Sequence, residues 1–161
     1  MTNREVVELW NALMNPSLDE LPGAKFGFAL AKNKSKLKGQ VKMLNDIQEK
    51  PIPGMEAFDK ARIELCKEFA DTDDDGNPIK SLGAAGSYQI IERRPEFENK
   101  FIELKEDHSD AFVELESRTK EFEELLGEEN TDVVLHMIDI KDVSDKITKK
   151  QMDSIYPLIK D

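Results

Sequence analysis

The densest set of potential ligands in this 161-residue chain is the run Asp71-Thr72-Asp73-Asp74-Asp75-Gly76-Asn77-Pro78. Asp71, Asp73, Asp75 and Gly76 repeat the front half of a calcium loop, D-x-D-x-D-G. Such a loop gathers hard oxygen ligands on a short flexible run and uses the glycine for its sharp turn. The back half departs from the pattern: Pro78 stands where an apolar strand residue belongs, and Leu82 where a bidentate Glu closes the cage. The run therefore reads first as an acidic turn whose Asp side chains bond their own backbone. Asp71, Asp73 and Asp75 are the candidate calcium ligands, and no cofactor or other metal is expected.

The remaining chemistry-bearing residues are isolated. His108 falls between Leu104 and Ala111 at helical spacing, which suits a packed side chain, and His136 has only Met137, Asp139 and Asp142 nearby in sequence. Zinc takes three or four such ligands, so neither histidine makes a metal site. Cys66 is the single cysteine, which excludes an intrachain disulfide and reads as a packed thiol. No Gly-rich phosphate loop, nucleophile elbow or HExxH is present. No catalytic residue is expected, and the chain reads as non-enzymatic.

The elements that carry these residues are mostly helices. Phe97, Phe101, Leu104, His108, Ala111, Leu115, Arg118, Phe122 and Leu125 alternate steps of four and three, and seven of the nine are apolar. At 3.6 residues per turn this draws one stripe down a long helix over about 95–126, which needs another long helix beside it. Capping boxes at Thr2–Glu5 and Thr148–Gln151 open helices over about 3–14 and 149–156. Further helices are expected over about 24–50, with Phe26, Leu30, Leu37, Val41, Leu44 and Ile47 inward, and over about 55–70. Strands over about 79–82 and 87–91 would form a small β-hairpin through Gly83-Ala84-Ala85-Gly86, and the β-branched run 133–140 reads as another strand. The expected fold is mainly α: one domain over 1–161, an elongated antiparallel helical hairpin or bundle with minor β-structure.

Charge is distributed unevenly. The chain carries −11 overall, yet residues 1–54 hold eight Lys and Arg against six acids, and Leu21 to Asn45 holds six lysines and no acid. Opposite charges beside an apolar seam favour one pairing, so the lysines of 24–50 are the natural partners of the eleven acids between Glu96 and Glu124. The acidic total and the lack of arginines and interleaved aromatics on the basic helix argue against direct nucleic-acid binding. No apolar run is long enough for a membrane span, and Arg4, Glu5 and Glu8 interrupt any secretory signal at the start. Apolar stripe in excess of what one hairpin buries points to self-association.

In order along the chain, Thr2-Asn3-Arg4-Glu5-Val6-Val7-Glu8-Leu9-Trp10-Asn11-Ala12-Leu13, Lys25-Phe26-Gly27-Phe28-Ala29-Leu30-Ala31-Lys32-Asn33, Ala70 to Pro78, and Ile147-Thr148-Lys149-Lys150-Gln151-Met152 with Leu158-Ile159 resemble a loose family of small proteins. These are encoded by bacteriophages and prophages of Gram-positive bacteria. The family has no established activity, so the resemblance transfers no residue roles. It implies a phage accessory protein in the virion or its assembly, in the infected host cytoplasm or the virion, whose partner is a virion component or a host protein. The alternative is an acidic inhibitor of a host defence or transcription protein, its helix carboxylates imitating a phosphate backbone.

Overall fold

The computed structural model describes residues 1–81 and 87–160. The fold is mainly α with minor β: α1 (Asn3–Leu13), α2 (Pro16–Asp19), α3 (Ala24–Gln48), α4 (Pro53–Glu68), α5 (Arg94–Asp107), α6 (Ser109–Gly127), β1 (Ile138–Asp139), α7 (Lys149–Ile155) and β2 (Ile159–Lys160). These elements divide into two compact units. One is Met1–Lys50 with Glu121–Asp161; the other is Pro51–Lys120.

In the first unit α1 starts as its capping box requires. The Thr2 hydroxyl accepts the Glu5 N–H at 3.2 Å, and the Glu5 carboxylate accepts the Thr2 N–H at 2.7 Å. Val6, Leu9 and Leu13 then point one way and bury against Phe26, Ala29, Leu30, Leu37 and Val41 of α3, with Leu18, Ile138, Ile155 and Leu158 completing the core. Each fully buried Leu, Ile or Phe contributes about 1.5–3 kcal/mol of transfer free energy, so this core is what holds the unit. The second capping box opens α7 at Thr148, and Gln151 Nε2 also donates to the Ser17 hydroxyl at 2.9 Å, tying α7 to α2. Ile47, read as inward, is half exposed because α3 runs past the core at its C-terminal end.

The run 133–140 is only partly strand. Ile138 and Asp139 pair in parallel with Ile159 and Lys160, while Ile140–Asp142 closes into a 3-10 turn. Between Val133 and Met137 the chain lies beside α3, so no neighbouring strand completes a ladder. A single side chain does so instead. Asn33 Nδ2 donates to the His136 carbonyl at 2.8 Å, and the His136 N–H donates to Asn33 Oδ1 at 2.7 Å.

The second unit is an antiparallel hairpin. Gly54 meets Ala111, Phe58 contacts Phe101, His108 and Phe112, and Phe69 meets Phe97. A methyl built on Gly54 would stand 2.7 Å from the Ala111 side chain, so glycine lets the helices close there. The helix expected over 95–126 is broken at His108, whose φ −109° and ψ 19° leave the helical well. Asp107, His108, Ser109 and Asp110 all rank low in helix interiors, and Ser and Asp compete for backbone partners. Because α4 stays in step with 97–111, the break is a bend and not a reversal.

The strands expected over 79–82 and 87–91 are reduced to one isolated antiparallel bridge, Lys80 to Tyr88, beside which the Gln89 N–H donates to the Ile79 carbonyl at 2.9 Å. Its turn, with Leu82, lies outside the described residues. Three lysines of the basic helix find partners within the first unit. Lys34 pairs with Asp19 at 2.6 Å, Lys25 with Asp142 at 3.1 Å, and Lys36 donates to the Val134 carbonyl. Seam apolarity told which residues prefer burial; charge alone left the partner open.

Candidate functional site

Asp71 and Asp73 use their carboxylates on backbone amides. Asp71 accepts the Ile91 N–H at 3.0 Å on Oδ2 and the Glu92 N–H at 3.3 Å on Oδ1, just ahead of α5. Its main chain closes a ring of three segments: the Asp71 N–H donates to Gln89, Gln89 to Ile79, and Ile79 back to Asp71. Asp71 thus joins the end of α4 to the start of α5. Asp73 Oδ1 accepts the N–H groups of Asp75 and Asn77 at 3.1 and 2.8 Å, folding the turn in which Gly76 takes φ 81°. The Asp75 side chain is exposed. Among the described residues no three His, Cys, Asp or Glu side chains stand together as a metal-holding group.

Each histidine packs its ring on a phenylalanine. His108, at the helix break, sets its ring edge-on to Phe58 with centroids 5.8 Å apart. The His136 ring meets Phe28 edge-on at 6.1 Å. Cys66 is a free, half-buried thiol. Of the titratable groups, Lys100 is held above its ordinary value, first by its hydrogen bond to Glu103 and then by that carboxylate's charge.

A different set of residues does converge. Asn33 is fully buried on α3 and grips both backbone polar groups of His136, donating also to the Ala29 carbonyl at 3.1 Å. On the exposed side of α3 and on the segment crossing it the surface is apolar and basic at once. Phe28 is 63% exposed with Lys32 Nζ 5.7 Å from its ring centroid, and Val134 is 71% exposed on a carbonyl held by Lys36. Reading the sequence missed Asn33. Its signal was the gap it fills in the inward series Phe26, Leu30, Leu37, Val41, where a polar residue occupies a core position.

Two cavities open on the first unit. One of about 490 Å³ lies at the start of α3 beside Lys25, Lys141, Asp142 and Ser144, where the Lys25–Asp142 pair balances its charge. The other, about 460 Å³, lies between α1 and the C-terminal segment, with Glu8 and Asp153 facing Leu9, Ala12 and Pro157. No helix among the described residues is long and apolar enough to cross a membrane. Compared with known proteins, the chain matches no family model, no curated protein and no solved structure.

Proposed function

We propose that this protein is a non-enzymatic accessory protein of a bacteriophage, acting in the virion or its assembly by binding another protein. The observation that carries the reading is the exposed side of α3 at Phe28, where the segment bearing Val134 and His136 passes beside it. Phe28 and Val134 are large apolar groups left mostly in water, with Lys32 over the Phe28 ring and Lys36 on the Val134 carbonyl. An apolar centre with a charged rim is the anatomy of a protein-binding surface. Phage origin comes from the resemblance of the N-terminal and Lys25–Asn33 segments.

The second reading, an acidic inhibitor imitating a phosphate backbone, draws on the exposed carboxylates of α5 and α6. It has less support, because Arg94 and Lys100 already engage Glu98 and Glu103 and interrupt the array. Affinity capture from infected cells with the wild-type chain and a Phe28→Ala/Val134→Ser variant tests the first reading. Virion or host proteins should be retained by the wild type and lost with the variant. An identical set on both, or none on either, would overturn it.

A further inference from the structure

We propose that the lysine-rich outer face of α3 docks on an acidic stripe of α5 in a second copy of this chain, so that the protein self-associates. This rests on the protein-binding reading above and names the occupant. Six lysines and one acid, Asp46, lie on α3. Lys25, Lys34 and Lys36 are engaged within the unit, and Lys32 lies over Phe28. Lys38 and Lys42 are exposed and have no partner among the described residues. Phe28, Lys32, Ser35, Gly39 and Lys42 share the side opposite the buried stripe, and all are exposed.

Gly27 and Gly39 both stand open on α3, and of the two Gly39 lies among the exposed lysines Lys38 and Lys42. A methyl built there meets nothing within 4 Å, whereas one at Gly54 would collide with Ala111. A glycine inside a helix lowers its stability relative to alanine, and no packing among the described residues calls for one at Gly39. Its effect is a dent in a basic face, at which another backbone can approach closely.

The complement exists on α5. Glu98, Ile102 and Glu106 follow one another at four-residue spacing on its exposed side, with Ile102 55% exposed, Glu106 unpartnered among the described residues and Glu98 shared with Arg94 in an exposed pair that a lysine can join or displace. A rise of 1.5 Å per residue sets the two carboxylates about 6 Å to either side of Ile102. With Ile102 seated at Gly39, they come within reach of Lys32, Lys38 and Lys42. Two α3 faces repel each other, so the contact joins α3 of one copy to α5 of another. A helix face about 37 Å long and 10 Å wide covers well under the ~800 Å² per partner of a standard interface, which makes the contact weak and salt-sensitive.

Sedimentation velocity of the full chain tests this over roughly 10 to 300 μM at about 0.01 M ionic strength, where the Debye length is ~30 Å. The mean mass should rise with concentration and return to the monomer at about 1 M salt. Lys38→Gln/Lys42→Gln and Glu98→Gln/Glu106→Gln chains should each stay monomeric alone. Mixed, they should form a complex that stops at two chains, since one intact face of each remains. Gly39→Leu should raise the melting temperature of the monomer while weakening association about tenfold, a loss of ~1.4 kcal/mol. A monomer under all conditions would overturn the proposal while leaving a foreign partner open to the capture experiment. Association untouched by the four charge changes, or a mixture that stays monomeric, would overturn it as well.

Discussion

Replacing Asn33 by alanine should destabilise the first unit by about 2–4 kcal/mol, and the figure follows from three hydrogen bonds. The carboxamide donates to the His136 carbonyl at 2.8 Å and to the Ala29 carbonyl at 3.1 Å, and it accepts the His136 N–H at 2.7 Å. Each bond contributes about 0.5–1.5 kcal/mol net, and a buried backbone group left without a partner costs about 1–3 kcal/mol. The Ala29 carbonyl keeps its helical bond to the Asn33 N–H, so the loss falls chiefly on the two groups of His136. With a urea m-value of ~2 kcal/mol per M, the midpoint followed by circular dichroism should fall by about 1–2 M. The His136 amide should also lose protection in hydrogen exchange. Asn33→Leu keeps the branched shape and strands the same two groups, so it should be nearly as harmful. Asn33→Asp adds a pH signature: burial opposite two carbonyls raises the carboxyl above its unfolded value near 3.9. The deficit of that variant is then largest at neutral pH and shrinks as pH falls through the folded value. An Asn33→Leu protein as stable as wild type would refute the reasoning, because it would mean the carboxamide holds nothing that matters.

Phe58→Ala should cost about 3–5 kcal/mol, since Phe58 is buried among Phe101, His108 and Phe112, and Leu115→Ala much less, since Leu115 is 40% exposed; equal losses in thermal unfolding would contradict the helix faces described. Gly54→Ala should lose about 1–3 kcal/mol by overpacking against Ala111, and a gain in melting temperature would show that the helices separate freely there. Asp71→Ala should lose about 1 kcal/mol, having removed the acceptor for the Ile91 and Glu92 amides. The wild-type melting temperature should respond to calcium as to any salt of equal ionic strength. Saturable calorimetric binding of one calcium per chain, abolished by Asp73→Ala, would contradict that expectation.

The sequence by itself determined the local elements. Apolar spacing of three and four placed α1, α3, α4 and α5, because helical hydrogen bonds join residues four apart and the pattern need only persist for a few turns. Thr2–Glu5 and Thr148–Gln151 announced the starts of α1 and α7 because a capping box is satisfied within one turn. The acidic run was legible as a turn for the same reason: Asp73 bonds amides two and four residues on. Only the tertiary structure decided which surfaces meet. The lysines of α3 find Asp19, Asp142 and the Val134 carbonyl, because charge attracts any opposite partner and only the path of the chain selects one. His108 bends a stripe that periodicity drew straight, since small losses in helix propensity are settled by the packing of α4 across them. Asn33 looked like an interruption in an apolar face until the segment bearing His136, more than a hundred residues away, crossed it and supplied the backbone groups that a buried carboxamide requires.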